Sequence, residues 1–417
     1  MPQFNRSNRF SRNSFSRNSG SGGSSFSRNR KPFFQSRGRA QGKRMRGESI
    51  DISKFIKKSS DVVESKPVII ENVFADFGFC PQLQKNLQFR SYLTPTPIQD
   101  QSIKHIMQGG DLIGLANTGT GKTAAFLLPM IDKCFNDRTQ KVLIVAPTRE
   151  LAIQINEEFR KFAVGLNIYS AVVVGGAPSY RQISDLRRNP NFVIGTPGRL
   201  KDLKNKGHIR FTAFTNIVLD EIDRMLDMGF IDEIKQMLSE MPKEKQSLFF
   251  SATMPPRIRE LAERFLINPI TVKVSIGQTS ENIDQDVVRV NKLTKFDKLK
   301  DLLITSELKK VLIFSETKRD VESLAESLMR DGFKADSIHG DKRQSQRQRA
   351  LKNFKDNYIQ ILVATDVAAR GLDIKNVTHV INYTVPQTFD DYIHRIGRTG
   401  RENKKGVALT FVESNQY

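Results

Sequence analysis

The chain has 417 residues, 38% of them apolar, enough for two or three domains with real cores. No apolar run approaches the ~18 residues of a membrane span, so a soluble protein with no membrane partner is expected. The net charge of +21 is lopsided: residues 1–47 hold ten Arg, two Lys and no acid, against 54 basic and 45 acidic residues in the remaining 370, which points to an acidic polymer as partner.

The tail over 1–47 is built from Arg, Ser, Asn, Gly and Phe, with FSRN at 10–13, 15–18 and 26–29. It has no helical or strand periodicity and few aliphatic side chains, which predicts disorder. Phe interleaved with Arg suits single-stranded RNA, rings stacking on bases and guanidinium groups meeting phosphates. A solvated solubility tail accounts for the charge but not for the recurring Phe. An organelle transit peptide fits the Arg and Ser but not the missing amphipathic helix or the many Gly and Asn. The two cysteines, Cys80 and Cys134, form no CxxC pair, and the five His show no metal-ligand spacing. This excludes a disulfide framework and a zinc site and suits a reducing cytoplasm, the expected location.

From about residue 72 short apolar runs alternate with longer helical patterns. The runs are DLIGLA (111–116), KVLIVAP (141–147), AVVVGG (171–176), FVIGTP (192–197), IVLDE (217–221) and SLFFSAT (247–253). Near-continuous Val, Ile and Leu predict parallel strands buried on both faces, and the alternation predicts a doubly wound α/β domain. KVSIGQTSENIDQD (273–286) is polar and weakly patterned, as a linker would be. A second series then predicts a second α/β domain: KVLIFSE (310–316), ADSIHG (335–340), IQILVATD (359–366), VTHVINY (377–383) and GVALTFV (406–412). Nothing suggests a coiled coil, and a monomer is expected.

ANTGTGKT, from Ala116 to Thr123, follows a predicted strand and precedes a helical pattern. Gly119 and Gly121 let the amides of Ala116, Asn117, Thr118 and Thr120 converge on phosphate oxygens at a helix N-terminus. Lys122 can reach the β and γ phosphates, and the Thr123 hydroxyl can bind Mg²⁺. The first Gly of the usual GxxxxGK[ST] pattern is Ala116 here. About 100 residues on, Asp220 closes an apolar run, placed to hold Mg²⁺ through water. Glu221 is placed to orient or deprotonate the attacking water. An Asp-Glu pair also suits a helix N-cap with its first-turn acid, and the two uses are compatible.

These residues resemble the DEAD-box family of ATP-dependent RNA helicases, with DEID in place of DEAD, over residues 72–417. The resemblance implies two tandem RecA-like doubly wound parallel-sheet domains joined by a short linker. The divisions it implies are a Q-motif region at 72–100, an ATP-binding domain at 103–273, a linker at 274–283 and a C-terminal domain at 284–417, behind the tail at 1–47. YLTPTPIQ resembles the adenine-reading motif, with Gln99 on the adenine edge and Phe74 stacking on its ring. PTREL (147–151), GG (175–176) and TPGR (196–199) resemble motifs that hold the RNA backbone through Thr148, Arg149, Gly175, Gly176, Thr196, Gly198 and Arg199. SAT (251–253) resembles the motif coupling hydrolysis to strand separation, with Ser251 meeting Asp223 and Thr253 beside it. In the second domain SETK (315–318) and HGD…QSQR (339–347) imply RNA contacts through Thr317, Gly340 and Arg347. In ATDVAARGLDI (364–374) Thr365 would face RNA, and Gly371 and Asp373 the nucleotide. YIHRIGRTGR (392–401) would supply Arg395 and Arg398 as arginine fingers, with His394 linking to the DEID side.

Two departures are mild. Ile222 stands where the family has Ala, and Ser91 where Gly is usual. The roles of Asp220, Glu221 and Asp223 rest on carboxylates, all present, so Ile222 reads as a packing variation. The expected activity is RNA-stimulated ATP hydrolysis that unwinds or remodels RNA, with ATP and Mg²⁺ bound and RNA, single strand or short duplex, held mostly by its backbone. A DNA-directed motor and a non-hydrolysing ATP clamp are the rivals. DEID with HRIGRTGR favours RNA, and the joint presence of Lys122, Glu221 and Arg398 favours turnover.

Overall fold

The computed structural model describes residues 51–57, 70–117, 119–274, 282–304, 308–369, 374, 376–400 and 404–413. The tail at 1–47, Thr118, Gly371 and Asp373 lie outside them, as does the segment 275–281. Among the described residues no helix is long and apolar enough to cross a membrane.

The first lobe opens with α1 (Pro81–Phe89) and α2 (Pro97–Met107), whose leading prolines suit the first turn, where the amide has no helical partner. There follow β1 (Leu112–Leu115), α3 (Lys122–Asn136), β2 (Val142–Val145), α4 (Arg149–Phe162), β3 (Ser170–Val173), α5 (Ser179–Arg187), β4 (Phe192–Gly195) and α6 (Pro197–Asn205). The lobe closes with β5 (Asn216–Leu219), α7 (Ile222–Asp227), α8 (Ile231–Glu240), β6 (Gln246–Ser251), α9 (Pro256–Phe265) and β7 (Ile270–Lys273). Its seven strands are all parallel, in the order β3-β4-β2-β5-β6-β1-β7. Two apolar clusters, one on each face, bury β2, β4, β5 and β6 almost wholly, which is why those strands read as unbroken Val, Ile, Leu and Phe.

The second lobe runs β8 (Ile283–Val290), α10 (Lys295–Ile304), β9 (Val311–Phe314), α11 (Lys318–Arg330), β10 (Ala335–Ile338), α12 (Gln344–Lys355) and β11 (Ile361–Ala364). It ends with α13 (Asp366–Ala369), β12 (His379–Asn382), α14 (Phe389–Ile396) and β13 (Gly406–Glu413). Its six parallel strands are ordered β10-β11-β9-β12-β13-β8. The two tandem α/β sheets are those the sequence predicts. One element differs: residues 283–286, read as linker, begin the edge strand β8. An edge strand is half solvated, so Asp284 and Asp286 face outward while Ile283 and Gln285 are buried, and the polar residues hide the pattern.

Candidate functional site

In a parallel sheet the carboxyl ends of neighbouring strands open onto one crevice. β6 lies between β5 and β1, so the loops after these strands meet there. They carry the phosphate loop, the DEID acids and SAT. The loop is tied to β6 through the Ala116 amide, which donates to the Ser251 carbonyl at 3.0 Å. Lys122, nearly buried at the start of α3, donates to the Ala116 carbonyl at 2.8 Å. The Thr120 hydroxyl closes the loop on the Asn117 carbonyl at 2.9 Å. Asn117 and Gly119 are exposed, and Gly121 and Thr123 are half-buried. Gly121 has φ +95°, and a Cβ there would collide with the Gln99 amide, so only glycine fits.

Gln99 lies beneath the loop. Its side-chain oxygen accepts from the Thr96 amide at 2.8 Å, and its Nε2 donates to the Gly121 carbonyl at 3.0 Å. One N–H of that amide group is left over. Phe74 is almost wholly buried, its ring 5.9 Å from Phe77 and 5.7 Å from Tyr92, both edge-on. Ser91, next to this cluster, has φ +56°, a left-handed backbone in which glycine meets no steric penalty.

Asp220 follows β5 directly. Its Oδ1 is buried and has no hydrogen-bond partner. Burial pushes its carboxyl up to about 7; Lys122 opposes the shift and the charge of Glu221 adds to it. Glu221 caps α7 in the left-handed region, φ +53° and ψ +51°, and lies 3.4 Å from Arg224. Such a backbone on a buried Glu costs about 1–3 kcal/mol. Ile222 is fully buried in the cluster that holds Leu219, Met225 and Phe249, on the core side and not toward the acids.

Asp223 corrects one expectation. Its Oδ2 accepts from the amides of Ala252 and Thr253 at 3.0 Å and from the Thr253 hydroxyl at 3.2 Å. The Ser251 hydroxyl is buried with no partner. Ser251 is still strand, so the amides that turn toward the acid come from the loop beyond it. Burial alone would raise Asp223, but Lys122, Arg224, the Thr253 amide and His394 together hold it below the usual carboxylate range. His394, on α14 of the second lobe, is thus close enough to Asp223 to act on its charge.

Around these acids the residues expected on RNA also sit at strand ends. Thr148 and Thr196 cap α4 and α6, just past β2 and β4. Gly175 and Gly176 follow β3, and a Cβ on Gly176 would collide with the Arg149 guanidinium, for which the two glycines leave room. Gly198 is exposed. Arg199 bonds Ser179 at 2.8 Å, Gln182 at 3.2 Å and Asp202, all within its lobe. In the second lobe Thr317 caps α11 after β9, Gly340 follows β10 beside Lys318, and Thr365 follows β11.

Arg347 and Arg395 stand differently from expectation. Arg347 reaches the first lobe: its guanidinium lies 2.7 Å from Glu150, with both side chains at least nine-tenths buried. Gln344, one helical turn earlier on α12, donates to the other Glu150 oxygen at 3.0 Å. Arg395 grips Asp366 with two nitrogens, at 2.6 and 2.7 Å, and donates to Asn382 and to the Thr384 carbonyl. A guanidinium held by four bonds in its own lobe is a brace for α14; Arg398 is buried just beyond the helix. Sequence reasoning did not pick out Glu150, Gln344 or Asp366. All three lie inside quoted motifs, and the i, i+3 spacing of Gln344 and Arg347 put them on one face.

The DEAD/DEAH box helicase model matches residues 96–261, and the helicase conserved C-terminal domain model matches 294–403. The ATP-dependent RNA helicase CshA of Listeria monocytogenes is 46% identical over 346 residues, 82% of this chain and 66% of that protein. The DEAD-box ATP-dependent RNA helicase CshA of Bacillus subtilis is 46% identical over 342 residues, 81% and 69% of the two chains. The chain spans about two thirds of the length of these relatives. Among solved structures, S. cerevisiae Dbp5 bound to RNA and ADP BeF3 is 31% identical with a TM-score of 0.73, covering 82% of this chain and 89% of that one. Mss116 bound to ssRNA and UDP-BeF is 31% identical with a TM-score of 0.74, covering 82% and 74%. With both lobes matched in order, the chain belongs to the DEAD-box family of ATP-dependent RNA helicases.

Proposed function

We propose that the protein is an RNA-stimulated ATPase that locally unwinds or remodels RNA duplexes and RNA–protein complexes through ATP-driven closure of its two lobes. The contact of Glu150 with Gln344 and Arg347 carries this reading. It joins the helix beginning at the PTREL motif to the second lobe, through charges removed from water. Leaving one charge of such a pair buried without its partner typically costs about 3–5 kcal/mol, so the contact is selective for the one register in which both partners meet. The names and bound ligands of the relatives and solved structures support both ATP and RNA as ligands.

ATP would lie over Ala116–Thr123, with Lys122 on its phosphates and the spare Gln99 N–H on the adenine edge. Phe74, deep in its aromatic cluster, would offer the base a ring edge. The unpartnered Asp220 oxygen and the half-buried Thr123 hydroxyl are hard oxygen donors that fit Mg²⁺, which would neutralise phosphate charge there. Glu221 orients the attacking water and takes its proton, and Arg398 stabilises charge on the transferred phosphoryl group. Gly371 and Asp373 belong to the same nucleotide reading. Thr148, Arg149, Gly175, Gly176, Thr196, Gly198, Thr317, Gly340 and Thr365 form the RNA face, since small residues and helix N-termini at strand ends suit a phosphate backbone. Asp223 and His394, one from each lobe, couple the two sites.

Full-length protein is assayed for ATP turnover alone, with single-stranded RNA and with DNA of the same sequence, beside Glu221→Gln. Stimulation by RNA and not by DNA, lost in Glu221→Gln, is expected. Equal stimulation by DNA, or none with RNA, would contradict the reading.

A further inference from the structure

Residues 51–57 stand ahead of the first lobe in sequence, yet they pack on the second. Asp51 caps a single 3-10 turn over Ile52–Phe55, accepting from the Ser53 amide at 3.0 Å. The turn sends Phe55 inward, fully buried in a cluster with Ile283 of β8, Ala408 of β13, and Tyr392 and Ile396 of α14. Its ring centre lies 4.6 Å from that of Tyr392. Two residues on, the Lys57 amide donates to the Gln285 carbonyl at 3.0 Å, and the Gln285 amide donates to the Lys57 carbonyl at 2.7 Å. β8 is the outer strand of its sheet, so this antiparallel bridge covers an open edge. The Tyr392 hydroxyl donates to the Gln285 side chain at 2.9 Å, joining bridge and helix.

α14 is the helix that carries His394 and Arg395 and leads to Arg398. At eight residues it is too short to be stable alone. Arg395 fixes it to the ends of β11 and β12. Tyr392 and Ile396, four apart and so on one face, fix it toward Phe55. We propose that Phe55 is a positioning residue for ATP hydrolysis. The 51–57 strap, when docked, sets the place of α14 and through it of His394 and Arg398; when undocked, it leaves α14 held by Arg395. Residues 58–69 join the strap covalently to the first lobe, and its packing and backbone bridge hold it on the second. The proposal rests on the reading of α14 as part of the hydrolysis site.

The test uses full-length protein at saturating RNA. Phe55→Ala is expected to lower kcat about tenfold with KM for ATP little changed, since small misplacements of catalytic groups act on turnover. Phe55→Leu, which refills the pocket, is expected to stay near wild type. Lys57→Pro removes the amide donor without opening a cavity and is expected to follow Phe55→Ala. A synthetic peptide of residues 47–58 is expected to bind the Phe55→Ala chain, read by anisotropy of a fluorescent label, and to restore its kcat saturably. Unchanged kcat in Phe55→Ala or Lys57→Pro would overturn the proposal. So would a loss that neither Phe55→Leu nor the peptide reverses, because that is damage to the fold. Peptide binding is read without turnover: a wild type idle with RNA would sink the hydrolysis reading, and a peptide that does not bind would sink the strap.

Discussion

At the end of β5, Asp220 keeps a buried oxygen without a hydrogen bond, and the Ser251 hydroxyl on the neighbouring strand is also unmatched. In α14 the Arg395 guanidinium makes four hydrogen bonds within its own lobe. A buried polar atom left unmatched costs about 1–3 kcal/mol, and a fold keeps one where something else is to supply the partner. A saturated guanidinium does the opposite and fixes the element that carries it. The Asp220 oxygen is therefore left open to a ligand group, whereas the Arg395 guanidinium is committed to holding α14. Glu150 and Arg347 join the two halves.

The largest expected effect breaks that join. Arg347→Ala leaves the Glu150 charge buried with only the Gln344 amide on it, and RNA-stimulated turnover should fall about 100-fold, the lower end of what losing such a partner costs. Steady-state ATPase assays at saturating RNA check this, and a change under threefold would remove the pair from the mechanism.

Acidity acts next, on the receiving side. Because burial places Asp220 near 7, a proton competes with any cation there at lower pH. The affinity for Mg·ADP, by titration calorimetry, should fall up to about tenfold per pH unit below 7 and level off above it. The folding sign is the reverse of an ordinary ion-paired acid. The native state holds the extra proton between 3.8 and about 7, so Asp220 lowers stability as pH rises through that window. Asp220→Asn, which cannot ionise, should flatten that part of the pH profile of chemical denaturation.

Ile222 gives the smallest functional effect. It fills core space away from the acids, so Ile222→Ala should cost about 2–4 kcal/mol of stability while turnover stays within a few-fold of wild type. Loss of activity without loss of stability would move Ile222 into the site.

The parallel strands were legible because burial on both faces makes each an unbroken apolar run, and the phosphate loop and acids because they are local strings. β8 was hidden by its half-solvated edge. The partners of Asp223, Arg347 and Arg395 were hidden because they lie 29, 197 and 29 residues away, and only the packed lobes choose among many possible carboxylates and amides. Residue type marked Arg395 as functional but did not say whether its guanidinium points outward or braces its own lobe. The left-handed backbone of Glu221 leaves no mark in composition, whereas Ser91 did, through the Gly it replaces.

If nucleotide and RNA favour one closed arrangement of the lobes, as proposed, binding of the two must be linked. RNA affinity is measured by anisotropy with and without saturating ADP–beryllium fluoride, and nucleotide affinity with and without RNA, in wild type and Arg347→Ala. Each ligand is expected to tighten the other by the same factor, about 5–150-fold in wild type and close to one in Arg347→Ala. A wild-type factor of one would contradict it.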